Sequence, residues 1–97
     1  MAVTKEQVKK DLAEIKHYYQ NKALFDKAVK KSISSILEKV ERYNNVLSKA
    51  PVKLYEIYYV LYVEAESYVA ASYTMKCSTT TIFKRHKKLE NYLVAQL

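Results

Sequence analysis

Residues 67–89 contain the side chains whose types and spacing best suit a chemical role. Within them, residues 76–88 include five bases and no acidic residue, and three consecutive threonines stand at residues 79–81. Basic side chains attract phosphate groups, and short hydroxyl side chains can reach base edges in a DNA major groove about 12 Å wide. This combination predicts that the segment contacts double-stranded DNA.

A helix-turn-helix unit is the arrangement that would present these side chains. Ser67 is expected to cap a short helix over about residues 68–74, and Ser78 to cap a longer helix over about residues 79–95. Met75-Lys76-Cys77 would form the turn between them. In the longer helix, steps of four, three and four residues define an inward face, consisting of Ile82, His86, Leu89 and Leu93.

The opposite face of this longer helix carries the candidate DNA contacts. Thr79 and Thr80 suit base edges or a thymine methyl group, and Phe83 suits an apolar contact with thymine or with the sugar backbone. Lys84 can reach guanine or a phosphate, while the other basic side chains are expected to bind phosphates. Ser78 orients backbone N–H groups at the helix start, where a phosphate can also sit. The complete set of candidates is Lys76, Ser78, Thr79, Thr80, Phe83, Lys84, Arg85, Lys87 and Lys88.

Pro51 is the best internal boundary, because proline disfavours helix in the residues before it. It separates residues 1–50 from residues 51–97 within one compact domain. After it, residues 52–64 are predicted to form a helix, and residues 64–66 a corner. Of the ten tyrosines, six fall between Tyr55 and Tyr73, where they are expected to serve as core and interface.

Residues 1–50 carry two apolar stripes, which predict an N-terminal pair of amphipathic helices. Thr4 and Gln7 fit a capping box at the start of the first helix. The first stripe consists of Val8, Leu12, Ile15 and Tyr19. The second stripe consists of Phe25, Val29, Ile33, Ile36, Val40, Tyr43 and Leu47.

The second stripe leaves two arrangements open. It can fold back on the C-terminal unit, or part of it can pair with its copy in a second chain, since its spacing resembles a coiled-coil seam. We favour a homodimer, because a single small helix-turn-helix usually binds weakly and dimers recognise two half-sites. The candidate dimer interface consists of Ile33, Ile36, Val40, Tyr43 and Leu47.

The composition argues against several classes of protein. The chain has 97 residues, a net charge of +7, one cysteine and no glycine. Without glycine, nucleotide-binding loops and most tight β-hairpins are disfavoured, so we expect an all-α fold of four to five helices. One cysteine and two distant histidines provide neither an internal disulfide nor zinc spacing, and no apolar run reaches the roughly 18 residues that span a membrane. We therefore expect a cytoplasmic protein with no cofactor, no membrane partner and no enzymatic activity.

The run STTTIFKRHKKL at residues 78–89 resembles the recognition helix of sigma-factor region 4. It resembles more specifically the small sigma-like late regulators of phages of Gram-positive bacteria, of the ArpU and RinA type. The segments YYQNKAL (18–24) and LYEIYYVLYVE (54–64) are similar to other helices of that family. The resemblance implies a phage origin and control of transcription through DNA binding. Two positions depart from the family pattern: Ala71 stands where isoleucine is usual, and Lys76 where glycine or asparagine is usual.

Other interpretations of the same residues remain open. The basic cluster can be a solvated helical face, and the threonines can be no more than a good helix start. A protein-interaction module would use the tyrosine-rich or heptad face, with exposed residues such as Tyr59 or Tyr62, to bind a host RNA polymerase or another regulator. A DNA-packaging factor is a third possibility, since small terminase subunits also use a helix-turn-helix. His86 is expected to be a packed, hydrogen-bonded histidine rather than a metal ligand.

Overall fold

The computed structural model describes residues 3–23 and 30–97, with side chains at 3–23 and 35–97. In chain order its helices are α1 (Lys5–Gln20), α2 (Lys30–Leu47), α3 (Val52–Tyr58), a π-helical turn (Tyr59–Val63), α4 (Tyr68–Thr74) and α5 (Thr79–Gln96). The described residues contain no strand. The predicted all-α fold of four to five helices is therefore confirmed.

Helix α1 begins where a threonine can satisfy its free N–H groups. The Thr4 hydroxyl accepts a hydrogen bond from the Gln7 backbone N–H at 3.1 Å, which is the N-cap interaction predicted. The Gln7 side-chain amide donates a hydrogen bond to Asp11 Oδ1 at 2.8 Å. The Gln7 side chain thus helps to satisfy a buried carboxylate.

The apolar stripe of α1 enters the core largely as predicted. Val8, Leu12 and Ile15 are fully buried, but Tyr18 is the more buried of the two tyrosines that follow, and Tyr19 is only half-buried. The Tyr19 hydroxyl lies at the edge of the core, where it accepts a hydrogen bond from Asn44 Nδ2 at 3.2 Å. That bond to α2 favours a peripheral position for Tyr19.

Helices α1 and α2 are joined by a buried polar network around Asp11. The Tyr43 hydroxyl donates to Asp11 Oδ2 at 2.8 Å, and Lys39 Nζ lies 3.3 Å from Asp11 Oδ1 and also pairs with Glu14. The hydrogen bond to Glu14 raises the pKa of Lys39 above its usual value, against the opposing effect of desolvation. Asp11 is therefore buried with its oxygens paired, as a buried charge requires.

The candidate dimer interface is where the structure departs most from prediction. Val40, Tyr43 and Leu47 are buried within the chain, with at most 6 % of each exposed. Because the chain's own core covers these side chains, the stripe folds back on the rest of the protein, and a dimer seam through these three residues is wrong. Ile36 is half-buried. Phe25, Val29 and the side chain of Ile33 lie outside the described residues.

The predicted helix over 52–64 is present, but it changes its winding after Tyr58. The Glu64 backbone N–H donates to the Tyr59 carbonyl oxygen at 2.8 Å, a separation of five residues that defines a π-helical turn. The corner at residues 64–66 follows as predicted, and Ala65 adopts a left-handed conformation there, with φ of 55°. The Glu66 carboxylate then accepts a hydrogen bond from the Thr74 hydroxyl, which ties the corner to the end of α4.

One hydrophobic cluster unites the two halves of the sequence. Its fully buried members come from each of the described α-helices and include Leu12, Leu47, Ile57, Ala71 and Leu89. Helix α5 packs against α1, α3 and α4. This core fixes the orientation of α5, whose other face carries the candidate DNA contacts.

Candidate nucleic-acid interface

The start of α5 is defined by Ser78. Its hydroxyl accepts a hydrogen bond from the Thr81 backbone N–H at 3.1 Å, which confirms the predicted cap. No acidic side chain occupies the first turn of α5. The N–H groups at this end carry a partial positive charge, which no side chain of that turn neutralises.

The turn before Ser78 is the one predicted at residues 75–77. The Cys77 backbone N–H donates to the Ser72 carbonyl oxygen at 3.0 Å, and Lys76 adopts a left-handed conformation, with φ of 54°. Glycine and asparagine reach this conformation with the least strain. Lys76, which stands where the family pattern has glycine or asparagine, therefore adopts the conformation that those two residues favour. Its side chain is exposed.

The inward face of α5 packs against the neighbouring helix α4. Ile82, Leu89 and Leu93 are fully buried, as is Ala71 of α4. Ala71, which stands where the family pattern has isoleucine, therefore lies in the buried core where α4 packs against α5.

The outward face of α5 brings six candidate residues together in two adjacent rows. Side chains four residues apart on a helix lie one above the other. All six are exposed. One row consists of Thr79, Phe83 and Lys87, and the other of Thr80, Lys84 and Lys88.

The remaining candidates lie around this face. Lys76 and Ser78 are exposed at the approach to α5, whereas Arg85 is half-buried at its flank. Within the described ranges, the ion pairs all belong to Lys39, so no described carboxylate forms an ion pair with the basic side chains of residues 76–88. An anionic partner would therefore not have to displace an ion pair here.

His86 holds α5 to two neighbouring elements. Its Nε2 is hydrogen-bonded to the Tyr62 hydroxyl and its Nδ1 to the Tyr68 hydroxyl. Burial raises the pKa of both tyrosines above their usual value, so each hydroxyl keeps its proton. A neutral imidazole has one donor and one acceptor, so one hydroxyl donates to the ring and the other accepts from it. The predicted packed, hydrogen-bonded histidine is confirmed.

The pH dependence of folding is expected to report on His86. Burial lowers its pKa, with a further lowering from Lys9 and an opposing effect of Glu90. The unfolded chain therefore binds a proton at His86 more readily than the folded protein does. The free energy of unfolding has its full value above about pH 6.5 and falls as the pH drops below it. Urea denaturation at several pH values between about 5.5 and 7.5 measures this loss.

The variant for this measurement is His86→Gln, which removes the imidazole. It should give a flatter pH profile than the wild-type protein. If His86→Gln kept the wild-type slope between about pH 5.5 and 7.5, His86 would not be the responsible group.

An open groove of about 540 Å³ lies beside the turn at residues 75–77, and the hydropathy pattern of the sequence does not predict it. Tyr55 and Tyr59 line it, with ring centroids 6.4 Å apart and both side chains about 40 % exposed. Thr74, Met75 and Lys76 also contribute to its lining. Tyr59 is exposed as predicted, whereas Tyr62, which was also expected to be exposed, is half-buried against His86.

Comparisons with known proteins identify no relative. A scan against protein-family models found no match, and neither did searches of curated proteins and of solved structures. Among the described residues, no three His, Cys, Asp or Glu side chains are grouped so that they could hold a metal ion. No helix in the described ranges is both long and apolar enough to cross a membrane.

Proposed function

We propose that this chain binds double-stranded DNA in a sequence-specific manner, as a small cytoplasmic transcriptional regulator of the kind that phages encode. The observation that carries the proposal is the outward face of α5, where threonine, phenylalanine and lysine side chains stand exposed in two adjacent rows. Lysine contacts with phosphates supply most of the affinity. Threonine and phenylalanine contacts in the first turns supply the specificity.

The dimensions of this face agree with the proposal. An α-helix with its side chains is about 10–12 Å in diameter. The major groove of B-form DNA is about 12 Å wide, so α5 can enter it. With the threonine end among the bases, the lysine end of the row then reaches the phosphates that border the groove.

A pair of copies on symmetric half-sites would extend the recognised sequence, since one recognition helix contacts only a few base pairs. Because Val40, Tyr43 and Leu47 are buried within the chain, such a pair would meet through a different surface. The symmetry of the selected DNA sequence reports on this arrangement.

Selection from a pool of random duplexes at about 150 mM salt, where non-specific binding is weakened, tests the proposal. We expect an enriched motif for the wild-type protein and the same motif for Tyr59→Ala. This substitution alters the protein groove lined by Tyr55 and Tyr59, which lies outside the α5 face. Thr80→Ala should relax the preference at one position of the motif, where one mismatched base pair typically costs a specific complex about 1–3 kcal/mol. The absence of any enriched motif would contradict the proposal.

A protein-interaction module is the second candidate, and the exposed tyrosines of the groove favour it. Tyr55 and Tyr59 present apolar area with a polar edge, as residues at protein interfaces often do. A host polymerase or another regulator would be the partner. Such binding would depend on Tyr59 and tolerate salt, whereas DNA binding weakens steeply as salt rises.

A further inference from the structure

Phe83 is the one aromatic side chain in the two rows of the α5 face. It is 47 % exposed and does not belong to the hydrophobic core. Its row neighbours are Thr79, one turn before it, and Lys87, one turn after it. The packing of the protein therefore leaves the position of Phe83 unexplained, and a ligand with an apolar group would explain it.

Lys87 is held close to the Phe83 ring. Its ammonium nitrogen lies 5.0 Å from the ring centroid, a distance typical of a cation–π contact. The contact places a positive charge directly beside the apolar surface. A ligand that fits both side chains must offer an apolar group next to an anionic one.

We propose that Phe83 recognises the C5-methyl group of a thymine in the major groove, while Lys87 binds a phosphate beside it. This inference rests on the proposed DNA-binding function. Thymine is the base whose major-groove edge carries a methyl group, whereas the other bases present hydrogen-bond donors and acceptors there. Thr79 and Thr80, the hydroxyl side chains of the two rows, suit those donors and acceptors.

The test uses the tightest-binding duplex recovered from the selection described above. Each thymine in turn is replaced by deoxyuridine, which removes only the methyl group, and binding is measured for the wild-type protein and for Phe83→Ala. At one position we expect deoxyuridine to weaken wild-type binding about three- to five-fold, the effect of losing one buried carbon. The same replacement should have no effect on Phe83→Ala, because the methyl group then has no partner.

Tyr59→Ala is the matched control, since it removes a similarly exposed aromatic side chain from the π-helical turn rather than from α5. It should keep the wild-type response to deoxyuridine. If no replacement weakened wild-type binding, or if one weakened the wild type and Phe83→Ala equally, the thymine proposal would be overturned and DNA binding would stand. A protein that bound no duplex at all would overturn both.

Discussion

Replacing Lys84, Lys87 and Lys88 together with glutamine should remove much of the salt dependence of duplex binding. Each phosphate contact contributes about 0.9 to the slope of log affinity against log salt concentration, so three contacts contribute about 2.7. Between about 50 and 200 mM salt, the wild-type protein should therefore lose about 40-fold more affinity than the variant. Fluorescence anisotropy of a labelled duplex over this salt range measures the difference.

The control for this variant replaces Lys10, Lys49 and Lys53 with glutamine. These lysines are also exposed but lie outside α5, and both triple variants lower the net charge of +7 by three. The control variant should keep a salt dependence close to that of the wild type. If the salt dependence of binding declined equally in the two variants, binding would depend on net charge rather than on the α5 face.

Replacing Leu89 with alanine should lower the free energy of unfolding by about 3 kcal/mol, as is usual for a fully buried leucine. Leu89 is completely buried on the helix that packs against α1, α3 and α4. The substitution removes apolar contacts and leaves a cavity that neighbouring side chains fill only in part. Because small domains have only about 5–15 kcal/mol of stability, the loss is large, and urea denaturation followed by circular dichroism measures it.

Val69→Ala provides the comparison, because Val69 is 58 % exposed on α4. Its effect should stay within about 0.5 kcal/mol, the range typical of surface substitutions. A loss below about 1 kcal/mol for Leu89→Ala would contradict the core position of this residue. A loss as large for Val69→Ala would indicate that α4 packs differently from the structure described.

The starts of three helices could be predicted because their causes are local in sequence. Thr4, Ser67 and Ser78 each accept a hydrogen bond from the backbone N–H three residues later. A hydroxyl side chain before a helical pattern is sufficient to indicate such a cap. The exposed face of α5 was predictable for a similar reason, because helical spacing assigns side chains to opposite faces.

The contacts between distant segments could not be predicted in the same way. Periodicity indicates that Val40, Tyr43 and Leu47 share a face, but it does not identify what covers that face. The hydrogen bond from Tyr43 to Asp11 joins residues 32 positions apart, and a carboxylate usually predicts an exposed position. Likewise, the inward position of His86 follows from spacing, whereas its two tyrosine partners depend on how the other elements pack.

The π-helical turn at Tyr59–Val63 affects how this sequence should be aligned with others. A π-helical turn contains one residue more than the α-helical turn that it replaces. A homologue with an uninterrupted helix here would therefore lack one residue between Tyr58 and Glu64. An alignment across this point needs a single-residue gap, without which every tyrosine on one side would be matched to a position on the wrong face.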